Sequence, residues 1–408
     1  MRNQPIGRSM QTFSKPFTLQ EPVPEEAIKR AVEVMRSGRL HRYNTLGDEL
    51  SETSLLESEF AEYLGAKYCL ACASGGYALH IALLAAGLQK GERVLSNAFT
   101  LSPVPGAINN AGGIPILVGS DPDYKIDIND LRIKARDGSK FLLLSHMRGH
   151  IPDMDEILSI CTEHNITLIE DCAHTLGARW KGKASGTFGQ VACFSTQTYK
   201  HLNSGEGGLL VTDDPDIIAR AVLHSGSYMF YEKHPNMPGN EVFERHRLDT
   251  PNYSGRMDNL RAAILRVQMR GLDENCRRWN VLYTTVEQGL RKIDGISLPE
   301  RPQYEEFVGS SIQFTLLGGL AANVSNFLQA CTKRGVEIKW FGSDEPIGFT
   351  SRHESWHYLE DQQSLEKTNM VLDGLCDLRL PLTFDQDDCN QIVAVIAEAI
   401  AETTASRP

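Results

Sequence analysis

Four polar side chains stand at or just beyond the ends of apolar runs in the middle of the chain. Asp171 ends one such run, with His174 shortly after it, and Ser195 and Lys200 follow the next. A lysine amine can form a Schiff base with an aldehyde, a carboxylate can keep a pyridine nitrogen protonated, and a hydroxyl can bind phosphate. Because pyridoxal 5'-phosphate (PLP) needs all three, we predict a site for this cofactor, with Lys200 and Asp171 as its catalytic residues.

Each of these residues also has an ordinary structural explanation. Asp171 can cap a helix, and His174 can be a buried histidine with satisfied hydrogen bonds. Ser195 can be a turn residue, and Lys200 can be a solvated surface lysine. Taken together, however, the residue types match one cofactor. We expect Asp171 to contact the ring nitrogen, His174 to lie against the ring and Ser195 to contact the phosphate.

A glycine turn separates an apolar strand pattern from a helical pattern. Ser74, Gly75 and Gly76 follow the apolar run 68–73 and precede the helical run 77–87. Free backbone N–H groups at the start of a helix, together with the helix dipole, can bind an anion. Ser-Gly-Gly also occurs in many ordinary turns. Beside the lysine site, we predict that these three residues bind the cofactor phosphate.

Short apolar runs alternate with helical patterns up to about Asn252, which predicts an α/β fold with a mostly parallel sheet covered by helices on both faces. The seven predicted strands are 68–73, 93–96, 114–118, 141–145, 167–171, 190–194 and 208–212. The helices expected between them include 77–87, 103–110, 154–164 and 215–224.

A long helix is predicted from near Arg256 to Leu290, where apolar residues recur at helical spacing. It leads into a smaller C-terminal α+β domain, with expected strands at 311–317 and 336–340 and a final helix at 392–400. The predicted domains are therefore an N-terminal arm (1–24), a large PLP-binding domain (25–255), and the linking helix with the small domain (256–408).

Composition and charge narrow the class of protein. The chain has 408 residues, of which 41% are hydrophobic and 23% charged, as in soluble globular proteins. Its net charge of -11 provides no overall positive field for nucleic acid or anionic lipid. Residues 1–17 contain no apolar run, so we expect no secretory signal there, and no other run is apolar enough for a membrane span. Nine scattered cysteines suit reduced thiols, so we expect a cytoplasmic protein.

The pattern resembles the DegT-type aminotransferase family, which puts amino groups on nucleotide-linked keto sugars and cyclitols. The resemblance extends over nearly the whole chain, including 37–39, 56–61 and the region of Asn252, and it is most specific from Asp171 to Gly208. It implies the aspartate-aminotransferase-like architecture (PLP fold type I) and a homodimer with shared active sites. It also implies that Asn252 reaches the cofactor phosphate of the neighbouring subunit.

The chain departs from the family pattern around the expected substrate site. Gly76 stands where the family usually has threonine, Leu101 replaces a usual aromatic residue, and Arg148 stands where tyrosine or phenylalanine is common. The chain also carries a polar, aromatic insert at 228–247. We therefore hypothesise that the walls of the substrate site differ from those of the family, and that Leu101 and Arg148 belong to these walls. We further hypothesise that Arg148 and the insert recognise an anionic acceptor. An arginine paired with an acid at the surface is the alternative for Arg148.

Transamination is the leading functional hypothesis: glutamate or glutamine donates an amino group, through the cofactor, to a keto sugar, cyclitol or related carbonyl compound in a biosynthetic pathway. An alternative keeps the cofactor but ends in elimination, decarboxylation or carbon–carbon bond formation on an amino acid. A ligand-sensing protein without turnover is disfavoured by the intact Lys200 and by the absence of a basic helix-turn-helix segment. No residue cluster matches a zinc site or a Ser/His hydrolase.

Overall fold

The computed structural model describes residues 11–359 and 363–405, and all structural statements concern these residues. Within them, the α-helices are α1 Glu25–Ser37, α2 Glu52–Leu64, α3 Gly75–Ala85, α4 Pro103–Asn110, α5 Ile128–Lys134, α6 Met154–His164, α7 Pro215–Ser225, α8 Asn240–His246, α9 Asn259–Met269, α10 Leu272–Leu290, α11 Val324–Lys333, α12 Glu366–Asp373 and α13 Gln386–Ala405. The strands are β1 Tyr68–Cys72, β2 Arg93–Asn97, β3 Ile114–Val118, β4 Phe141–Ser145, β5 Thr167–Asp171, β6 Arg179–Trp180, β7 Lys183–Ala184, β8 Val191–Ser195, β9 Gly208–Thr212, β10 Ile296–Ser297, β11 Glu305–Glu306, β12 Ser311–Leu316, β13 Lys339–Trp340 and β14 Leu375–Arg379.

A seven-stranded sheet with the order β1-β9-β8-β5-β4-β2-β3 forms the centre of the larger part of the chain. The pairings from β8 to β3 are all parallel, whereas β9 runs antiparallel to both of its neighbours. The predicted α/β fold with a mostly parallel seven-stranded sheet is therefore confirmed.

Helices cover both faces of this sheet because the strands are apolar on both sides. In β4, Leu142 and Leu144 join one core cluster, while Phe141 and Leu143 join the cluster on the opposite face. Successive side chains of a strand point to opposite faces, so a strand that is apolar throughout must be covered on both faces. Helices α2, α6 and α9 pack on the first face, and α3, α4 and α7 pack on the second.

A second, antiparallel sheet with the order β10-β12-β14-β13 carries the smaller core. Helices α10, α11 and α13 pack against it. Phe13 and Phe17, from the segment predicted as an N-terminal arm, belong to the same core, and the ring centroid of Phe13 lies 5.1 Å from that of Phe384. The strand predicted at 336–340 is reduced to Lys339–Trp340.

The prediction of one long helix from Arg256 to Leu290 is wrong, because α9 and α10 are separate helices. Gly271, between them, has φ -100° and ψ 2°, which are not helical values. Asp273 and Glu274 then stand in the first turn of α10, where carboxylates favour a new helix start. Arg256 lies before α9 and bridges to Cys72 of β1.

All nine cysteines are buried and unpaired. Burial raises the pKa of each of their thiols, as for Cys72 in β1 and Cys376 in β14. None of the helices in the described ranges is both long enough and apolar enough to cross a lipid bilayer.

Candidate active site

A cavity of about 670 Å³ opens where the parallel strands of the large sheet end. Its walls include Ser145, Asp171 and Ser195, which are the last residues of β4, β5 and β8. The carboxyl ends of parallel strands form the usual ligand-binding edge of an open α/β sheet. The smaller sheet closes the other side with Asp377 and Arg379 of β14.

The structure brings together every predicted site residue except one. The cavity wall contains Ser74, Gly75, Gly76, Leu101, Arg148, Asp171, His174, Ser195 and Lys200. Asn252 does not line the cavity. Its side chain is exposed, and its Oδ1 accepts the backbone N–H of Ser254 at 2.9 Å.

The amine of Lys200 is held in an environment that favours its uncharged form. Its Nζ lies 2.9 Å from Nε2 of His174. Removal of the amine from water, helped by the nearby charge of Arg148, lowers the pKa of Lys200 to about 7. Burial, with Lys200 as the next cause, keeps the pKa of His174 well below its usual value. A neutral imidazole therefore faces an amine that is largely free to act as a nucleophile or base near neutral pH.

The carboxylate of Asp171 is fixed in orientation by the neighbouring strands. Its Oδ2 accepts the hydroxyl of Ser145 at 2.9 Å, and its Oδ1 accepts the backbone N–H of Ala173 at 3.1 Å. The hydroxyl of Thr100 in turn donates to Ser145 Oγ at 2.8 Å. Sequence reasoning missed Ser145 and Thr100, which hold the carboxylate at the cavity wall.

The start of α3 approaches Ser195 so closely that only glycine fits at position 75. A Cβ added to Gly75 would lie 2.8 Å from Cβ of Ser195, whereas one added to Gly76 would meet Pro103 at an ordinary 3.6 Å. Ser74 caps the helix by accepting the N–H of Tyr77 at 3.1 Å. The remaining N–H groups of the first turn have no acceptor within the helix, so this turn and the Ser195 hydroxyl form a seat for an anion.

Arg148 lies on the cavity wall, but its charge is already paired. It is buried, and its Nη2 lies 3.1 Å from Oδ2 of Asp377. Its guanidinium also lies over the ring of Phe349, 4.5 Å from the centroid. The alternative of an arginine paired with an acid is therefore right about the pairing, but wrong about a surface position. Among the residues that line this cavity, none comes from the insert 228–247.

Several cavity residues were missed by sequence reasoning, notably Tyr199, Phe349, Asp377 and Arg379. The alternation Asp377-Leu378-Arg379-Leu380 is a signal that could have identified two of them. Polar residues at every second position of a strand share one face, and Leu378 and Leu380 are fully buried on the other.

His146, Glu170 and Cys172 lie together beneath the cavity, in an arrangement that raises the question of a metal ion. Glu170 accepts the backbone N–H groups of Phe188 and Gly189, each at 2.8 Å, and lies 3.1 Å from Nε2 of His146. Its Oε2 also accepts the backbone N–H of Gly186 at 3.2 Å, so both oxygens hold the chain before β8. This arrangement fits a structural role better than metal binding.

Comparison with known proteins shows which family and which relatives this chain resembles. The pattern of the DegT/DnrJ/EryC1/StrS aminotransferase family matches residues 23–397. The GDP-perosamine synthase of Caulobacter vibrioides is 33% identical over 238 residues, which is 58% of this chain and 61% of that protein. A putative L-glutamine:3-amino-2,3-dideoxy-scyllo-inosose aminotransferase of Micromonospora echinospora is 30% identical over 284 residues, 69% of this chain and 64% of that protein. The chain thus spans less than two thirds of each of these relatives.

A solved structure shows that the whole fold is shared. The aminotransferase TlmJ from Streptoalloteichus hindustanus matches with a TM-score of 0.81 and 21% identity, over 97% of this chain and 100% of that one. The predicted aspartate-aminotransferase-like architecture is confirmed by this likeness.

Proposed function

The chain belongs to the DegT/DnrJ/EryC1/StrS aminotransferase family, and we propose that it is a PLP-dependent aminotransferase that moves an amino group from glutamate or glutamine to a keto sugar, cyclitol or related carbonyl compound in a biosynthetic pathway. The observation that carries this proposal is the desolvated amine of Lys200, which shares one cavity with the strand-end carboxylate of Asp171. The name of one relative describes an aminotransferase that acts on an inosose with L-glutamine.

The residues of the cavity fit PLP. The amine of Lys200, with a pKa of about 7, suits a covalent bond to the cofactor's aldehyde carbon. Asp171, held by Ser145, suits a protonated ring nitrogen. The close approach of Gly75 to Ser195 leaves a cradle of N–H and O–H donors for the phosphate. His174 would lie against the ring.

When bound, PLP supplies an aldehyde that exchanges amino groups and a conjugated ring that takes up the electron pair released at the substrate's amino-bearing carbon. Lys200 is the base that removes the proton from that carbon and transfers it to C4′, the carbon of the cofactor's aldehyde group. Because its pKa lies near 7, the amine can both accept and release this proton at neutral pH. The neutral imidazole of His174 keeps a hydrogen bond to Lys200 without adding positive charge. Asp171 maintains a negative charge opposite the ring nitrogen.

The second part of the proposal is a homodimer in which Asn252 of each subunit completes the phosphate site of the other. Asn252 is exposed and lies outside its own cavity, which supports a role toward a neighbouring chain. Large apolar side chains are exposed nearby, at Tyr253 and at 228–230. Such grouped apolar side chains are typical of interaction surfaces. Unpaired, buried thiols support the further proposal of a reducing, cytoplasmic compartment.

The test is incubation of the purified holoenzyme with L-glutamate. Amino transfer predicts stoichiometric 2-oxoglutarate and loss of the bound cofactor's visible absorbance. Release of carbon dioxide or ammonia instead would favour the alternative of a PLP-dependent lyase. Lys200→Ala should lose both the absorbance and the reaction, whereas Lys292→Ala, at an exposed position, should change neither.

A further inference from the structure

Arg379, the last residue of β14, carries a positive charge that the described part of the chain does not neutralise. It is partly buried and lines the cavity. Its guanidinium carbon lies 3.7 Å from the ring centroid of Tyr199, the residue before Lys200. Within residues 11–359 and 363–405, its guanidinium makes this ring contact and has neither a hydrogen bond nor an ion pair.

The acid on the same face of β14 is already engaged. Asp377 and Arg379 alternate with buried leucines, so both side chains face the cavity. Asp377 accepts Nε2 of Gln313 at 2.6 Å and pairs with Arg148 at 3.1 Å. One carboxylate thus serves one arginine, and the second arginine remains without a counter-ion.

The charge of Arg379 acts on the reacting lysine. After burial, which is the largest cause, the charges of Arg148 and Arg379 both lower the pKa of Lys200. Arg379 also adds to the lowering of the pKa of His174, for which burial and Lys200 are larger causes. An anion held by Arg379 would therefore lie close to the amine.

We propose that Arg379 binds a carboxylate of the substrate that reacts at Lys200. Stacking on Tyr199 fixes the guanidinium plane and leaves its N–H edges free, which suits two-point binding of a planar carboxylate. The proposal deepens the proposed function, on which it rests. The carboxylate belongs either to the amino-acid donor or to the carbonyl acceptor, because both react at the same amine.

The experiment is calorimetric titration of the holoenzyme with three probes. Glutarate has the carbon skeleton and carboxylates of glutamate without its amine, shikimate carries one carboxylate on a ring, and inorganic phosphate is a non-planar anion. We expect Arg379→Gln to weaken binding of glutarate, shikimate or both by about 10- to 100-fold. Arg379→Lys should lose part of this affinity, because lysine keeps the charge but not the two parallel donors. Arg277→Gln, on the exposed face of α10, is the matched control.

Each outcome decides the proposal. If Arg379→Gln loses affinity for glutarate only, the carboxylate belongs to the donor. If it loses affinity for shikimate only, the carboxylate belongs to the acceptor. Unchanged affinity for both in Arg379→Gln, failure of both to bind the wild type, or a preference for phosphate overturns the proposal. If Arg379→Gln does not fold, as judged by its melting temperature, unchanged binding in Arg379→Lys overturns it equally.

The binding test is independent of amino transfer. Holoenzyme that converts glutamate to 2-oxoglutarate but binds the probes without Arg379 would retain the proposed function and lose this residue's role. Holoenzyme that binds a carboxylate through Arg379 but transfers no amino group from either glutamate or glutamine would lose the proposed function and retain the site.

Discussion

Nζ of Lys200 and Nε2 of His174 lie 2.9 Å apart, in a part of the cavity where burial lowers the pKa of both groups. Two cations at this distance would repel each other. The contact therefore favours a state in which the two side chains together carry at most one positive charge. That state leaves Lys200 ready for chemistry in neutral solution.

The reactivity of Lys200 should follow its lowered pKa. Only the uncharged amine attacks an aldehyde, and at a pKa of about 7 this form becomes the majority as the pH rises through 7. Apoprotein treated with pyridoxal, which has no titrating phosphate, should thus be modified at Lys200 with a midpoint near pH 7. Borohydride reduction and peptide mass spectrometry measure the modification. Lys292, at an exposed position, is the internal control; coincident profiles of the two lysines would contradict the assignment.

The two glycines at the start of α3 should respond oppositely to substitution. Gly75→Ala places a Cβ 2.8 Å from Cβ of Ser195, so the helix start must move away and PLP should bind at least about tenfold more weakly. Gly76→Thr meets an ordinary contact at 3.6 Å and adds a hydroxyl next to the anion seat. It should bind PLP as tightly as the wild type or more so. Fluorescence titration of each apoprotein with PLP measures the dissociation constants. Equal effects of the two substitutions would show that the start of α3 does not form the phosphate cradle.

The buried pair of Arg148 and Asp377 should be strongly coupled in stability. Arg148→Met leaves a buried carboxylate without its partner, and Asp377→Leu leaves a buried guanidinium, so each should cost about 3–5 kcal/mol of unfolding free energy. The double variant should cost much less than the sum, because no charge is left unpaired. Urea unfolding of the wild type and the three variants, all as apoproteins, measures the cycle. Strictly additive costs would mean that the two charges do not stabilise one another.

Shared active sites predict complementation between two inactive proteins. Lys200→Ala and Asn252→Ala subunits, when combined in one dimer, leave one site with both residues intact. Each mixed dimer has one intact site out of two, so the purified mixed dimers should show about half of the wild-type activity in a two-fold symmetric dimer. Separately tagged subunits, refolded together and purified through both tags, provide the sample. Full activity of Asn252→Ala by itself would remove the residue from the phosphate site.

The large sheet was predictable because its strands are short apolar runs that end at polar residues or turns. The bounds predicted at 114–118, 141–145 and 167–171 are those observed. Burial on both faces requires continuous hydrophobicity, and this leaves a strong local signal. The same signal placed Asp171 and Ser195 at strand ends, and therefore at one edge of the sheet.

Other features depend on contacts between distant segments, which local patterns do not encode. The helical spacing of apolar residues continues across Gly271, so the break between α9 and α10 was missed. Phe13 and Phe17 gave no sign that they would pack on the smaller sheet. The role expected of Arg148 depended on its being free, and Asp377, which pairs with it, comes from a strand more than half the chain away.

The nine buried thiols can report where the protein opens. Each is shielded from alkylating reagents and, through its raised pKa, is poor in thiolate, so labelling requires local or global exposure. Six of them lie between Cys69 and Cys276, and Cys331, Cys376 and Cys389 belong to the core of the smaller sheet. The order in which they react under mild denaturant would therefore reveal whether the two cores come apart together or one before the other.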